Sequence, residues 1–196
     1  MKDESRSSVL WGVVARGGKT YITGGLIRDR RPKIVFIIAG AYTETHTQFI
    51  DDLLDTTKNG FQDFADYTVV DVKNDTIWSP AWDKNKRYIF FMSLELLKLT
   101  GTVAKTRTVM RQVINKEIVP DLVFFDEIHK GGVTDLAESA VKLIGESAFK
   151  VFMTATYIKP FLNTEYKLDA GNLITWGYED ILTAKTMTSP DTITYF

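Results

Sequence analysis

The sequence predicts an α/β domain, a parallel sheet flanked by helices on both faces, and three observations lead there. Short apolar runs recur along the 196-residue chain: Val9–Val14, Lys33–Ala39, Tyr67–Val72, Tyr88–Met92, Leu122–Phe125 and Phe149–Met153. These runs are rich in Val, Ile and Phe and lack polar/apolar alternation, the pattern of strands buried on both faces. Longer stretches with helical spacing separate them, and strand alternating with helix implies right-handed crossovers.

The helices follow in order. Lys19–Arg30 begins after Gly17 and Gly18. Glu44–Leu54 follows Thr43, a candidate N-cap, and Leu94–Leu99 follows Ser93. Thr106–Ile118 stops before Pro120, and Asp135–Ile144 follows Thr134 and ends at Gly145. Caps and breakers of this kind bound helices. Asn74–Asn85, holding Pro80, Trp78 and Trp82, reads as a loop. Trp176–Lys185 reads as amphipathic, with Ile181 and Leu182 apolar, and would cap the sheet or face another domain. One domain is expected over residues 1–188, with residues 189–196 as the start of a linker.

Composition narrows the class. With 44% hydrophobic and 25% charged residues, the chain has the balance of a globular domain. Basic residues number 24 and acidic residues 25, so bulk charge does not announce a nucleic-acid binder. Any strand contact would use a local patch. Cysteine is absent, which excludes disulfides and thiolate metal sites and favours an intracellular compartment, cytoplasm or nucleus. His46 and His129 are too few for a histidine-built zinc site. No apolar run approaches the roughly 20 residues of a membrane span, and Met1–Ser8 has no apolar stretch like that of a secretory signal.

Two strand ends carry chemistry. Gly17-Gly18-Lys19-Thr20 lies between the first strand and the first helix. Glycines let backbone N–H groups turn toward a phosphate, the helix N-terminus adds partial positive charge, and a lysine adds a full one. Arg16, Gly17, Gly18, Lys19, Thr20 and Tyr21 are therefore candidates for holding a nucleotide's phosphates, with the Thr20 hydroxyl as a Mg²⁺ ligand. The loop departs from the strict pattern. Val13 stands where the early glycine would be, Gly12 is one position off, and Arg16 replaces a small residue. The competing reading is a Gly-Gly turn before a solvated helix start.

The second is Asp121–His129, an apolar strand ending in Asp126, Glu127 and, two residues on, His129. Ligands bind beyond the carboxyl ends of strands in open α/β sheets. Asp126 there would hold Mg²⁺ through water and Glu127 would deprotonate the attacking water. The competing reading is a polar loop with solvated acids. His129 is either an exposed loop histidine or a hydrogen-bonding sensor beside the phosphate site.

With those residues in view, Asp126-Glu127-Ile128-His129 resembles the DExH box of superfamily 2 helicases and translocases. Gly18-Lys19-Thr20 resembles their motif I, and Thr154-Ala155-Thr156 is similar to motif III. Ala39–Thr45 stands where motif Ia would be. The likeness runs from about Val9 to Pro160. Within the superfamily, Trp11–Arg16 and Thr43–Thr45 look most like type III restriction-like and large-virus helicases.

The resemblance implies an N-terminal RecA-like domain of the P-loop NTPase kind, with ATP and Mg²⁺ as ligands and a DNA or RNA strand as the track. It implies Lys19 and Thr20 on phosphate and metal, Asp126 on metal, and Glu127 as the base. His129, Thr154 and Thr156 would couple hydrolysis to strand binding, and Thr43 would touch the strand backbone. No glutamine precedes Gln48, so the upstream adenine-reading glutamine of many relatives is missing. Motifs IV to VI have no candidates, so a second RecA-like domain of the same full-length chain would supply the arginine finger. The isolated chain is then expected to hydrolyse ATP very slowly. The rival from another class is a non-catalytic nucleotide sensor or scaffold. A P-loop kinase is disfavoured by the Thr-Ala-Thr and DExH sequences.

Other groups have plainer readings. Trp78 and Trp82, with Lys84, Lys86 and Arg87, could stack bases but more simply pack a loop. Trp11 packs under the phosphate loop, and Arg28–Lys33 forms a solvated helix end.

Overall fold

The computed structural model describes residues 8–40, 46–55, 60–72, 83, 85–97, 108–127, 134–166 and 168–187. Thr43, His129, Trp78, Trp82 and the expected linker at 189–196 lie outside the described residues.

Seven strands form one sheet: β1 (Ser8–Val13), β2 (Ile34–Ala39), β3 (Tyr67–Asp71), β4 (Arg87–Ser93), β5 (Leu122–Asp126), β6 (Phe149–Thr154) and β7 (Leu173–Trp176). Their spatial order is β3-β4-β2-β5-β6-β1-β7, and every pairing is parallel. All the apolar runs read from the sequence are strands, each bounded within one residue of expectation. The strand not anticipated is β7. It is short and lies at the sheet edge, paired to β1 from Leu10↔Leu173 to Val13↔Trp176.

The missing alternation has a direct cause. Successive strand residues point to opposite faces, and here both faces are apolar. Val35, Ile37, Phe91, Phe124 and Met153 share one cluster with Ile27 of helix α1 (Lys19–Arg30) and with Phe49 and Leu53. Phe36, Ile38, Phe90, Phe125 and Phe152 share the other with Leu94 and Leu96 of helix α2 (Leu94–Leu97). Val113 of α3 (Thr108–Ile114) and Ala137, Ala140 and Ile144 of α4 (Thr134–Ile144) complete it. Aromatic pairs knit neighbouring strands, with Phe36 edge-on to Phe90 at 5.5 Å and Phe125 stacked on Phe152 at 5.1 Å.

Three expected helices are corrected. The segment expected as an α-helix to Leu54 is a π-helix over Thr47–Leu54, closed by the Asp55 N–H on the Ile50 carbonyl at 2.7 Å. The helix expected to reach Ile118 ends at Ile114, because Lys116 turns left-handed at φ 59°. The amides of Lys116 and Glu117 there close on the carbonyls of Val113 and Gln112. The last expected helix starts later, as Tyr178–Met187, following α5 (Ile158–Phe161) and β7 and numbered α6. Tyr178 and Leu182, one turn apart on it, are 66% and 63% exposed, and Ile181 is half-buried.

Because all strands run the same way, the ends of β1, β2, β5 and β6 share one edge. The neighbours β2 and β5 are followed by elements on opposite faces, β2 by the π-helix on one and β5 by α4 on the other. Adjacent strand exits that diverge this way open a crevice between them. At the opposite edge the Asp121 carboxylate accepts the Lys33 and Ile34 amides, each at 2.9 Å, and ties the start of β5 to the start of β2.

Candidate functional site

The loop after β1 is shaped by its two glycines in different ways. Arg16 takes a left-handed φ of 60°, and Gly17 then returns its amide to the Val14 carbonyl at 2.9 Å. A Cβ on Gly17 would meet Val13 Cγ1 at 2.8 Å and the Val14 carbonyl at 2.9 Å, so the turn has no room for one. Gly18 stands in open space, but its φ of 83° is the left-handed conformation that glycine adopts freely. It caps α1 without a side-chain acceptor. The first-turn amides of a helix have no partner within it, so those of α1 face the crevice as donors with the positive end of its dipole.

Lys19 opens that helix. Its ammonium hydrogen-bonds the Glu127 carboxylate and lies 3.5 Å from Asp126 Oδ1. Asp126 is the last residue of β5 and is buried, and Glu127 is half-buried just beyond the strand. Glu127 adopts a left-handed φ of 56°. Its amide donates to the Met153 carbonyl at 3.0 Å, and the Gly40 amide donates to the Asp126 carbonyl, also at 3.0 Å. The acidic strand end is thus held from both sides, by β2 and β6.

A cleft of about 450 Å³ opens over these groups. Arg16, Gly18, Lys19, Thr20 and Tyr21 form its loop side, and Asp126 and Glu127 its floor. Gln48, Phe49 and Asp52 of the π-helix form the far wall, which sequence reasoning missed. The available signal was a polar pair four residues apart on a segment whose Phe49, Leu53 and Leu54 are buried. Where that pair would land depended on a non-local contact. Gly24 of α1 lets Leu53 approach, since a Cβ there would sit 2.7 Å from Leu53 Cδ1.

The structure brings Lys19, Thr20, Asp126 and Glu127 to one cleft, with Arg16, Gly18 and Tyr21 at its rim. Gly17 is not on the lining, and its amide is engaged within the turn. Thr154 and Thr156 do not line the cleft either. Thr154 is fully buried, and its hydroxyl accepts the Thr156 amide at 3.0 Å. Their link to the acidic end is Met153, one residue before Thr154, whose carbonyl takes the Glu127 amide. Trp11 is buried 6.1 Å from Phe124, as a packing residue. Arg28 and Arg30 form an exposed helix end, with the Arg30 guanidinium 4.6 Å over Phe149.

Among the described residues, no three His, Asp or Glu side chains are grouped to hold a metal ion. No helix there is long and apolar enough to cross a membrane. Mg²⁺ asks for less than a full protein cage, because it keeps most of its waters and takes one or two protein oxygens beside substrate phosphates. Thr20 and Asp126, on the same cleft, fit that requirement. No protein-family model matches the chain, and no curated protein matches it.

Proposed function

We propose that the chain is the ATP-binding motor domain of a nucleic-acid-dependent ATPase of the DExH helicase or translocase kind, with a RecA-like P-loop fold. One observation carries the reading. The Lys19 ammonium and the Asp126 and Glu127 carboxylates meet beside the N-terminus of α1, in a cleft of about 450 Å³. That volume falls within the range of small-ligand sites. Cation, helix dipole and adjacent carboxylates are the parts phosphoryl transfer needs, since its catalysis is mostly positioning and charge neutralisation.

In this reading Lys19 and the first-turn amides of α1 hold the β- and γ-phosphates, and Arg16 adds charge at the rim. Thr20 and Asp126 hold Mg²⁺, which neutralises charge on the phosphate oxygens. Glu127 takes a proton from the water that attacks the γ-phosphorus, giving ADP and phosphate. Lys19 must leave Glu127 to reach phosphate, so nucleotide binding frees the base. DNA or RNA as the track, Thr43, His129, Thr154 and Thr156 as coupling residues, and a second RecA-like domain supplying an arginine finger belong to the same proposal.

Calorimetric titration with ATP and Mg²⁺ tests it, comparing wild type with Lys19→Ala. Saturable binding that weakens at least about tenfold in the variant supports the reading, matching the loss of one charge-assisted hydrogen bond. Equal binding by both proteins, or none by wild type, refutes it. A second reading, a nucleotide sensor without turnover, is favoured by the altered phosphate loop, where Val13 replaces the early glycine and Arg16 turns left-handed. Tight binding with no ADP released when a strand and a second RecA-like domain are supplied would select it.

A further inference from the structure

We infer that Gly40, the residue after β2, is a positioning residue that sets the orientation of Glu127. The inference rests on the reading of Glu127 as the base. Glu127 is held left-handed at φ 56°, a region L-residues occupy only where surrounding structure enforces it. Such outliers gather at functional sites. The enforcing contacts are visible. Before Glu127, the Asp126 carbonyl accepts the Gly40 amide at 3.0 Å; at Glu127, the amide is fixed on the Met153 carbonyl at 3.0 Å.

Gly40 is not a glycine for its own torsion, because the described glycines with positive φ are Gly18 and Gly145. It is a glycine for proximity. A Cβ at this position would stand 2.9 Å from the Glu127 carbonyl oxygen, 3.2 Å from that of Asp126 and 3.5 Å from the Glu127 carbonyl carbon. Those are backbone atoms, which cannot swing aside as a flexible side chain would. The peptide after Glu127 therefore rests against the bare α-carbon of Gly40, and the carboxylate is aimed at Lys19 as a consequence. Adding one methyl group displaces that peptide by several tenths of an ångström, with Lys19, Thr20 and the helix N-terminus left in place. Misplacing a catalytic group by about 1 Å costs on the order of a hundredfold in rate.

The test compares wild type, Gly40→Ala and Glu127→Gln, each as the folded 196-residue chain. Without nucleotide, the rate at which an amine-acylating reagent modifies Lys19 reports its contact with Glu127. Gly40→Ala should raise that rate about threefold or more, toward Glu127→Gln, as one charge-assisted hydrogen bond is weakened. Lys33 and Lys86, exposed elsewhere, should not change. With ATP and Mg²⁺, the Kd should stay within about threefold of wild type while single-turnover hydrolysis falls at least about tenfold. Unchanged Lys19 modification in folded Gly40→Ala, or affinity and rate falling together, overturns the inference.

If Gly40→Ala does not fold, amide hydrogen exchange in wild type decides. Protected Gly40 and Glu127 amides whose protection changes together on adding ATP support the clamp, and a Glu127 amide exchanging at free-loop rates removes it. If wild type binds no ATP, the motor reading fails, while Lys19 modification and the protection of the Gly40 and Glu127 amides without nucleotide still judge the clamp.

Discussion

The ammonium of Lys19 lies between two adjacent carboxylates, hydrogen-bonded to Glu127 and 3.5 Å from Asp126 Oδ1. One cation thus balances two anions, with the Lys19 and Asp126 side chains only 16% and 8% exposed. At an effective dielectric of 20, a 3.5 Å pair attracts by roughly 5 kcal/mol before the cost of removing both ions from water. Lys19→Ala therefore does more than remove a phosphate ligand. It leaves the buried Asp126 beside Glu127 with less compensation. We expect a loss of about 1–3 kcal/mol of folding stability, below the range for fully buried pairs because the cleft is open to water. Urea unfolding checks this. Adding Asp126→Asn to Lys19→Ala should recover part of the loss, and a double variant less stable than either single one would contradict the charge argument.

Glu127→Gln separates binding from turnover. The amide keeps a hydrogen-bond acceptor for Lys19 but no longer competes as an anion. ATP affinity should hold or improve, because Lys19 is released to phosphate at lower cost. Hydrolysis should fall by about 10²–10⁴, the usual contribution of a general base. Calorimetry and single-turnover product release measure the two separately. Hydrolysis equal to wild type would remove Glu127 from the chemistry.

The two loop glycines should respond differently to alanine. At Gly17 the obstacle is space, with Val13 and the Val14 carbonyl within 2.9 Å of a new Cβ. Gly17→Ala should open the turn and weaken ATP binding as well as stability. At Gly18 nothing lies within 4 Å, and the obstacle is the torsion of 83°. Gly18→Ala should cost about 1–2 kcal/mol, the penalty of a left-handed residue, and Gly18→Asn less. Thermal unfolding with and without ATP distinguishes the cases. Equal effects of Ala and Asn at position 18 would show that torsion is not what glycine supplies there.

These residues also mark how far the sequence could be read. Asp126 and Glu127 were legible because they end or directly follow an apolar strand, and Lys19 because two glycines beyond another strand mark the start of a helix; parallel strands bring such ends to one edge whatever their order. The core strands were legible because burial on both faces leaves long runs such as Ile34–Ala39. The edge strand β7 was not. Its Ile174 is 54% exposed, and its strand state comes from pairing with β1, a partner far away in the chain. Over Thr47–Leu54 one apolar face serves an α- or a π-helix equally, so the winding was invisible, and with it the placing of Gln48 and Asp52 over the cleft. Gly40 could be noticed as a glycine after a buried strand, a mark of close backbone approach. Its neighbour, Glu127, could not be guessed without the sheet order.

Alkaline stability gives a test on the far face of the sheet. Tyr166 is 2% exposed and stacks on Phe152 at 4.5 Å. Burial, assisted by the negative charge of Glu138, pushes its phenol up to about 12. Burial also raises Tyr67, against the pull of Arg87 and Arg31. In both cases the folded state disfavours the phenolate. The stability this contributes is whole below the unfolded value of about 10 and is lost as pH rises from there toward 12. Two pKa units correspond to at most about 2.7 kcal/mol from Tyr166. Wild type should therefore lose stability across that window faster than Tyr166→Phe, which has no proton to release at this position. Urea midpoints measured between pH 9 and about 12 compare the two slopes. Lysines titrating in the same range affect both proteins alike and cancel in the difference. Parallel curves would mean that the Tyr166 phenolate is as well solvated in the folded chain as in the unfolded one.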